Sequence, residues 1–97
     1  PHPVFKRDGD NLHMELQLTL AEALCGFSRP IRALDGKELM VSNRQVTQPG
    51  QEITVPGRGM PNQRDPTHFG NLVLTARVLF PTSLNDVQRD AISKALK

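Results

Sequence analysis

From Leu12 to Leu20 apolar and polar residues alternate without a break: Leu12, Met14, Leu16, Leu18 and Leu20 against His13, Glu15, Gln17 and Thr19. A period of two is the mark of a strand with one face buried and one face wet. The alternation stops at Ala21-Glu22-Ala23-Leu24, four residues of high helix propensity, and Gly26 ends them. Asp35-Gly36 then stands between two extended runs, a strong short hairpin signal. Strand, one helical turn and hairpin thus follow one another directly, and nothing in the run has the look of catalysis.

The remaining pattern is also mostly extended. Val4 to Arg7 reads as a short edge strand behind Pro1 and Pro3, and Asp8-Gly9-Asp10-Asn11 turns it back onto the Leu12 strand. Phe27 to Ala33 and Lys37 to Val41 form the two arms of the second hairpin. Pro30 sits inside the first arm and must face an edge or a bulge, because it has no N–H for the ladder. Ser42 to Gln51 is loop-like, and Ile53-Thr54-Val55 is a brief strand. The stretch PGRGMPNQRDPTHFGN is too punctuated for regular structure, and its glycines imply positive φ or close backbone approach. Asn71 to Phe80 alternates again, with Val73 and Leu79 making its second face half apolar. After Pro81 the period becomes helical, and Ser83 with Asp86 resembles a capping box. The expected fold is mainly β: a small two-sheet β-sandwich with a short internal helix and a C-terminal amphipathic helix. The β domain is expected over 1–81 and the helix over 82–97.

Composition removes several function classes. The chain has 97 residues, enough for one small domain, whose modest burial makes help from a partner plausible on physical grounds. Its 12 basic and 10 acidic residues are interspersed and give a net charge of +2, which does not describe a nucleic-acid groove. There is no Trp or Tyr, and the 4 Phe residues form no stacking platform for single strands. No apolar run approaches the roughly 20 residues of a membrane span. Cys25 is the single cysteine, which fits a reducing compartment and reads as a small core residue. A first residue other than Met suggests a fragment or a processed product.

Candidate chemistry is thin. His2, His13 and His68 show no metal-ligand spacing, and His13 belongs on the wet face of its strand. Gly57-Arg58-Gly59 lacks the G-K-[ST] ending and the following helix of a phosphate loop. Cofactor, nucleotide and metal are therefore all expected to be none. A small hydrolase using His68, Asp65 and a serine remains the enzyme reading, although no nucleophile elbow surrounds Ser42 or Ser83. Leu84, Val87, Ala91, Ile92, Ala95 and Leu96 make one stripe on the terminal helix. It either covers its own sheet or meets a symmetry mate.

Taken together, FKRDGDNLH, LAEALCGF, ALDGKEL and VPGRGMP, followed by GNL and LFP, resemble the DnaJ (heat-shock protein 40) co-chaperones. The similarity is to the second of their two C-terminal β-sandwich domains and covers nearly the whole chain. The residues before Leu12 and the Leu-Asp-Gly hairpin look more like the type II members. The resemblance implies a homodimeric, non-enzymatic co-chaperone. Such a protein binds unfolded polypeptides and hands them to a seventy-kilodalton heat-shock chaperone, in the cytoplasm with access to the nucleus. The His-Pro-Asp tripeptide of the J domain is absent, so this segment should not stimulate ATP hydrolysis. Carried over by position, the resemblance implies a dimer contact at Phe80, Leu84, Val87, Gln88, Ala91, Ile92 and Ala95. It also implies a shallow peptide groove at Met14, Leu16, Ile31 and Ala33, although Met14 and Leu16 read equally as plain core. The alternative to a co-chaperone is a monomeric β-sandwich interaction module.

Overall fold

The computed structural model describes residues 5–33 and 36–96. In chain order they form β1 (Lys6–Asp8), β2 (Asn11–Thr19), α1 (Leu20–Cys25), β3 (Phe27–Arg32), β4 (Glu38–Asn43), β5 (Glu52–Val55), β6 (Leu72–Leu79) and α2 (Asp86–Ala95). A four-stranded sheet has the order β1-β2-β6-β5, and β3 and β4 pair as a second, two-stranded sheet. The mainly β, two-sheet architecture read from the sequence is the one observed.

The central pairing was not legible in advance. β2 and β6 run parallel, in register from Leu12↔Leu72 to Thr19↔Leu79. Parallel neighbours need a long crossover, and here α1, the β3–β4 hairpin, β5 and the loop that follows lie between them in the chain. The alternating leucines of β2 and β6 face one way. Leu12, Leu16, Leu18, Leu72, Leu74 and Ala76 join Phe5, Phe27, Ile31 and Val41 in one apolar core. The opposite face of β6 is partly covered too, because Val73 is buried.

Both ends of β2 are locked by short local devices. Beyond the C-terminal end, the Thr19 hydroxyl accepts from the Glu22 N–H at 3.1 Å, while the Glu22 carboxylate accepts from the Thr19 N–H at 3.0 Å. This reciprocal capping box starts α1 as soon as the strand ends. Arg29 of β3 reaches the same place, 3.6 Å from Glu22 Oε1 and donating to the Gln17 carbonyl. Gly26, at φ 98°, then turns the chain into β3 where an added Cβ would lie 2.9 Å from the Asn43 carbonyl oxygen. Cys25 corrects an expectation: it is exposed rather than in the core. Ala23 is the residue that turns inward from this single helical turn, leaving the last position outside.

The other end is held by backbone that approaches too closely for any side chain. Met60 N–H donates to the Asp10 carbonyl at 2.7 Å, Gly59 N–H to Gly70 O at 2.9 Å and Gly70 N–H to Met60 O at 2.9 Å. A Cβ on Gly70 would sit 2.1 Å from the Asp10 carbonyl oxygen, and one on Gly59 would sit 2.4 Å from it. The punctuated loop is thus clamped to the β1–β2 turn, with Asn71 N–H donating to Asn11 Oδ1 at 2.8 Å and Asn62 Nδ2 to Asp10 Oδ2 at 2.7 Å. Thr47, buried under α1, donates its N–H to the Ala23 carbonyl and takes a hydrogen bond from the Asn43 amide.

One other boundary differs from expectation. The terminal helix begins at Asp86, and its capping box is Asn85 with Gln88, not Ser83 with Asp86. Asn85 accepts from the Gln88 N–H at 2.8 Å, and the longer Gln88 side chain reaches back to the Asn85 N–H at 3.0 Å. The Asp35 of the expected hairpin turn and the strand start at Val4 lie outside the described residues.

Replacing Gly70 by Ala should destabilise the domain by about 3 kcal/mol, the upper end of overpacking costs, because the obstacle is the Asp10 backbone, which cannot rotate away. Gly9, whose Cβ direction is open, should lose only the smaller left-handed-backbone penalty of about 1 kcal/mol on the same change. Urea midpoints of the two variants measured side by side test this, and equal shifts would contradict the clamp.

Candidate functional site

Two apolar surfaces outside the core draw on residues singled out from the sequence. The first follows from the way β6 ends. The strand leaves the sheet after Leu79, and Phe80 and Pro81 carry the chain away from the body before Asn85 caps α2. No described residue of α2 is buried, and the helix packs broadly against neither sheet. Phe80 is 69 % exposed and Val87 79 %, with Gln88, Ala91 and Ala95 also exposed, Ile92 less open and Leu84 half-buried. Residues 87, 88, 91, 92 and 95 are related by three- and four-residue steps and so lie on one face of α2, with Leu84 just before its cap. The radius of gyration, 16.7 Å, exceeds the ~13 Å of a compact chain this long. Of the two readings of the stripe, the one in which it covers its own sheet is not what the structure adopts.

The second surface is a shallow groove of about 430 Å³ lined by Ala33, Met60, Pro61, Phe69 and the Gly57–Gly59 backbone, with Arg58 at its rim. The clamp at Gly59 and Gly70 holds it open, and Pro61 and Phe69 are bridged across it. Of the residues expected to form a groove, Met14, Leu16, Ile31 and Ala33, this surface contains Ala33 alone. Leu16 and Ile31, 3 % and 7 % exposed, belong to the core because their faces of β2 and β3 point at each other's sheet. Met14 is half-buried and packs against that core, so Ala33 remains as a groove residue. Met60 and Phe69 were missed. Their signal was present, as apolar side chains inside an otherwise polar, proline-rich loop.

Polar chemistry is sparse around both. His68 Nδ1 lies 2.6 Å from Asp65 Oδ2, so the pair imagined for a hydrolase does form, but no hydrogen bond among the described residues joins it to a serine. The pair belongs instead to a loop lock. Asp65 Oδ1 accepts from the Thr67 hydroxyl at 2.6 Å and the Thr67 N–H at 3.2 Å, while Asn62 Oδ1 accepts from the N–H groups of Arg64 and Asp65. Thr67 first, then His68, holds the Asp65 carboxyl below its ordinary value. His13 lies 3.7 Å from Asp8 on the open side of β2, and His2 lies outside the described residues. Among the described residues no three His, Cys, Asp or Glu side chains gather as a metal site, and no helix is long and apolar enough to cross a membrane.

Comparison with known proteins gives the family. Residues 1–81 match the family described as DnaJ C terminal domain. The chain belongs to that family. It is 52 % identical over 91 residues to Protein psi1 of Schizosaccharomyces pombe, covering 94 % of this chain and 24 % of that protein. It is 47 % identical over 93 residues to Protein SIS1 of Saccharomyces cerevisiae, covering 96 % and 26 %. With human DnaJ homolog subfamily A member 2 it shares 40 % over 95 residues, covering 96 % and 23 %. The chain therefore spans about a quarter of the length of the curated relatives it matches.

In this DnaJ C-terminal domain the Asp65 lock has a defined pH dependence. A carboxyl with a lowered folded-state pKa contributes its order above the ordinary aspartate value of 3.8 and loses it as pH falls through the lower folded value. The Thr67 amide resonance should titrate with a midpoint below 3.8 and lose that titration in Asp65→Asn. A midpoint at or above the ordinary value would contradict the lock.

Proposed function

We propose that this chain is the dimerising, client-holding part of a J-domain co-chaperone. In this reading the co-chaperone binds unfolded polypeptides and delivers them to a seventy-kilodalton heat-shock chaperone. The observation that carries the reading is α2: an amphipathic helix with a good cap, held outside its own domain with its apolar stripe uncovered. A solvated stripe of this kind is a cost unless something covers it. Family membership supplies the co-chaperone context, and the second C-terminal domain of a type II protein is the place we assign within it. Residues 1–81 act in this reading as the β domain and 82–97 as the dimerisation segment. Cytoplasmic residence is part of the proposal and is consistent with a single free cysteine.

The chemistry of the contact follows from its size. α2 has 10 residues and is about 15 Å long. Two such helices and the Phe80 strand ends, meeting across a two-fold axis, bury a small isologous patch. Patches under ~1,200 Å² sustain weak or transient association. Such a dimer holds its two sandwiches apart, so that one extended client is gripped at two separated places. Each grip is then weak while the pair gains by effective concentration.

The full-length protein should sediment as a dimer at tens of micromolar concentration and as a monomer when Val87 and Ile92 are both replaced by Asp, because the contact would then bury unpaired charge. Its thermal midpoint should barely move, since no described residue of α2 is buried in the domain. A wild-type mass equal to one chain would sink the dimer. An aggregation-suppression assay tests the holding role: deletion of this domain should weaken suppression of a reduced, unfolded protein, and equal suppression with and without it would remove the client assignment.

A further inference from the structure

The sheets of this domain end in strand edges, and proteins usually blunt such edges with charge, proline or shortness. Three edges here are managed in that way. β1 is three residues long and wholly charged: Lys6, Arg7 and Asp8, all exposed. β5 is four residues long and runs into Pro56. Gly50 N–H donates to the Ala76 carbonyl and Ala76 N–H to the Gln51 carbonyl, which turns the backbone groups of Ile53 and Val55 toward β6 and leaves those of Glu52 and Thr54 outward. β3 carries Pro30 at the middle of its outer edge, flanked there by Ser28 and Arg32.

The fourth edge is different. Ala33 N–H donates to the Lys37 carbonyl at 2.8 Å and the Ala33 carbonyl accepts from Gly36 N–H at 2.9 Å, so both backbone groups of Ala33 point across the hairpin. The antiparallel ladder alternates, which makes Ile31–Leu39, Arg29–Val41 and Phe27–Asn43 bonded pairs and leaves Arg32–Glu38, Pro30–Met40 and Ser28–Ser42 non-bonded. In the second set the N–H and C=O groups point away from the partner strand. Pro30 therefore costs the ladder nothing, and Glu38, Met40 and Ser42 present a row of outward donors and acceptors. No described residue meets them. At the centre stands Met40, 64 % exposed, on a strand whose neighbours Leu39 and Val41 turn inward. The edge thus has three rungs, with Glu38 at one end, no proline, and a flexible apolar side chain in the middle where the β3 edge has Pro30.

We infer that the outer edge of β4 is a docking strand for an extended, apolar segment of an unfolded polypeptide, which joins the β3–β4 sheet as a third strand. The occupant follows from the groups displayed. A row of alternating backbone donors and acceptors at strand spacing is matched by another extended backbone and is indifferent to its side-chain sequence. Met40 adapts its shape to whichever apolar side chain lies beside it. Recognition through backbone suits a partner with no fixed sequence, and a folded protein, whose backbone groups are already paired, offers no such strand. This inference rests on the client-holding reading and adds to it the strand that does the holding.

The test is residue-resolved amide hydrogen exchange on the full-length protein, with a soluble synthetic peptide of about eight residues alternating valine or leucine with lysine as the probe. Peptide should slow exchange at Glu38, Met40 and Ser42 while Leu39 and Val41, already bonded to β3, change little. Met40→Pro removes the central outward N–H without breaking a ladder bond and should weaken peptide binding by about tenfold, whereas Met40→Thr keeps that N–H and should stay within about threefold. N-methylation of alternate peptide amides should weaken binding to the wild-type protein as well, a result that does not depend on how the proline variant folds. Binding with no protection at the three amides would overturn the docking strand and leave client holding intact. Failure to bind both this peptide and a reduced, unfolded protein would overturn both readings. Slow exchange at the three amides before peptide is added, with a lower sedimentation mass for Met40→Pro, would assign the edge to a second copy of the chain and overturn the inference.

Discussion

The parallel ladder between β2 and β6 is the constraint on which the rest of this domain depends. It joins Leu12–Thr19 to Leu72–Leu79 in unbroken register, although the partners lie some sixty positions apart in the chain. Both strands place their leucines on the same side, so one pairing produces most of the apolar core in a single step. The pairing gains this burial only after a long loop has been closed, and the entropy of that closure grows slowly with length. The short devices at each end then determine where the ladder stops. Thr19 and Glu22 turn the chain into α1, and Gly59 and Gly70 let the backbone of the returning loop lie against Asp10.

That arrangement also dictates which surfaces stay open. β6 is an inner strand, flanked by β2 and β5, so the chain leaving its C-terminal end has no strand left to join. Phe80 and α2 are delivered outside the body with their apolar atoms in water. The second sheet has only two strands, so each of them keeps an outer edge. Pro30 closes one of them, and no described residue is hydrogen-bonded to the other. A domain of this size buries a limited share of its surface, and the surfaces left over are the ones given functional meaning here.

The electrostatics serve geometry more than energy. Arg77–Glu15 at 3.6 Å crosses the parallel pair on its open side, and Lys94–Asp90 at 3.1 Å runs along α2. Exposed pairs like these are worth about 0–1 kcal/mol each. Arg29 does more by position than by charge, since it holds the start of β3 to the end of β2 and to the α1 cap at once. The Asp65 loop lock works in the same way: it ties Thr67 and His68 to the turn that Asn62 starts.

The periods of two in Leu12–Leu20 and Leu72–Phe80, the helix formers before Gly26 and the helical stripe after Pro81 determined the two long strands, the short helix and the terminal helix from sequence, because those patterns are local consequences of backbone geometry. Ordered motifs spread along the chain were enough for the family. Tertiary structure decided what local pattern does not contain. Alternation does not reveal whether Leu12 faces Leu72 in a parallel or an antiparallel partner. It does not separate Leu16 in the core from Ala33 on a groove. Ser83 and Asn85 both carry capping chemistry, and only the helix start at Asp86 selects Asn85 with Gln88. The freedom of α2 and of the β4 edge depends on where every other element has already packed. Burial and pairing are relations between distant segments, so they appear only once the chain is folded.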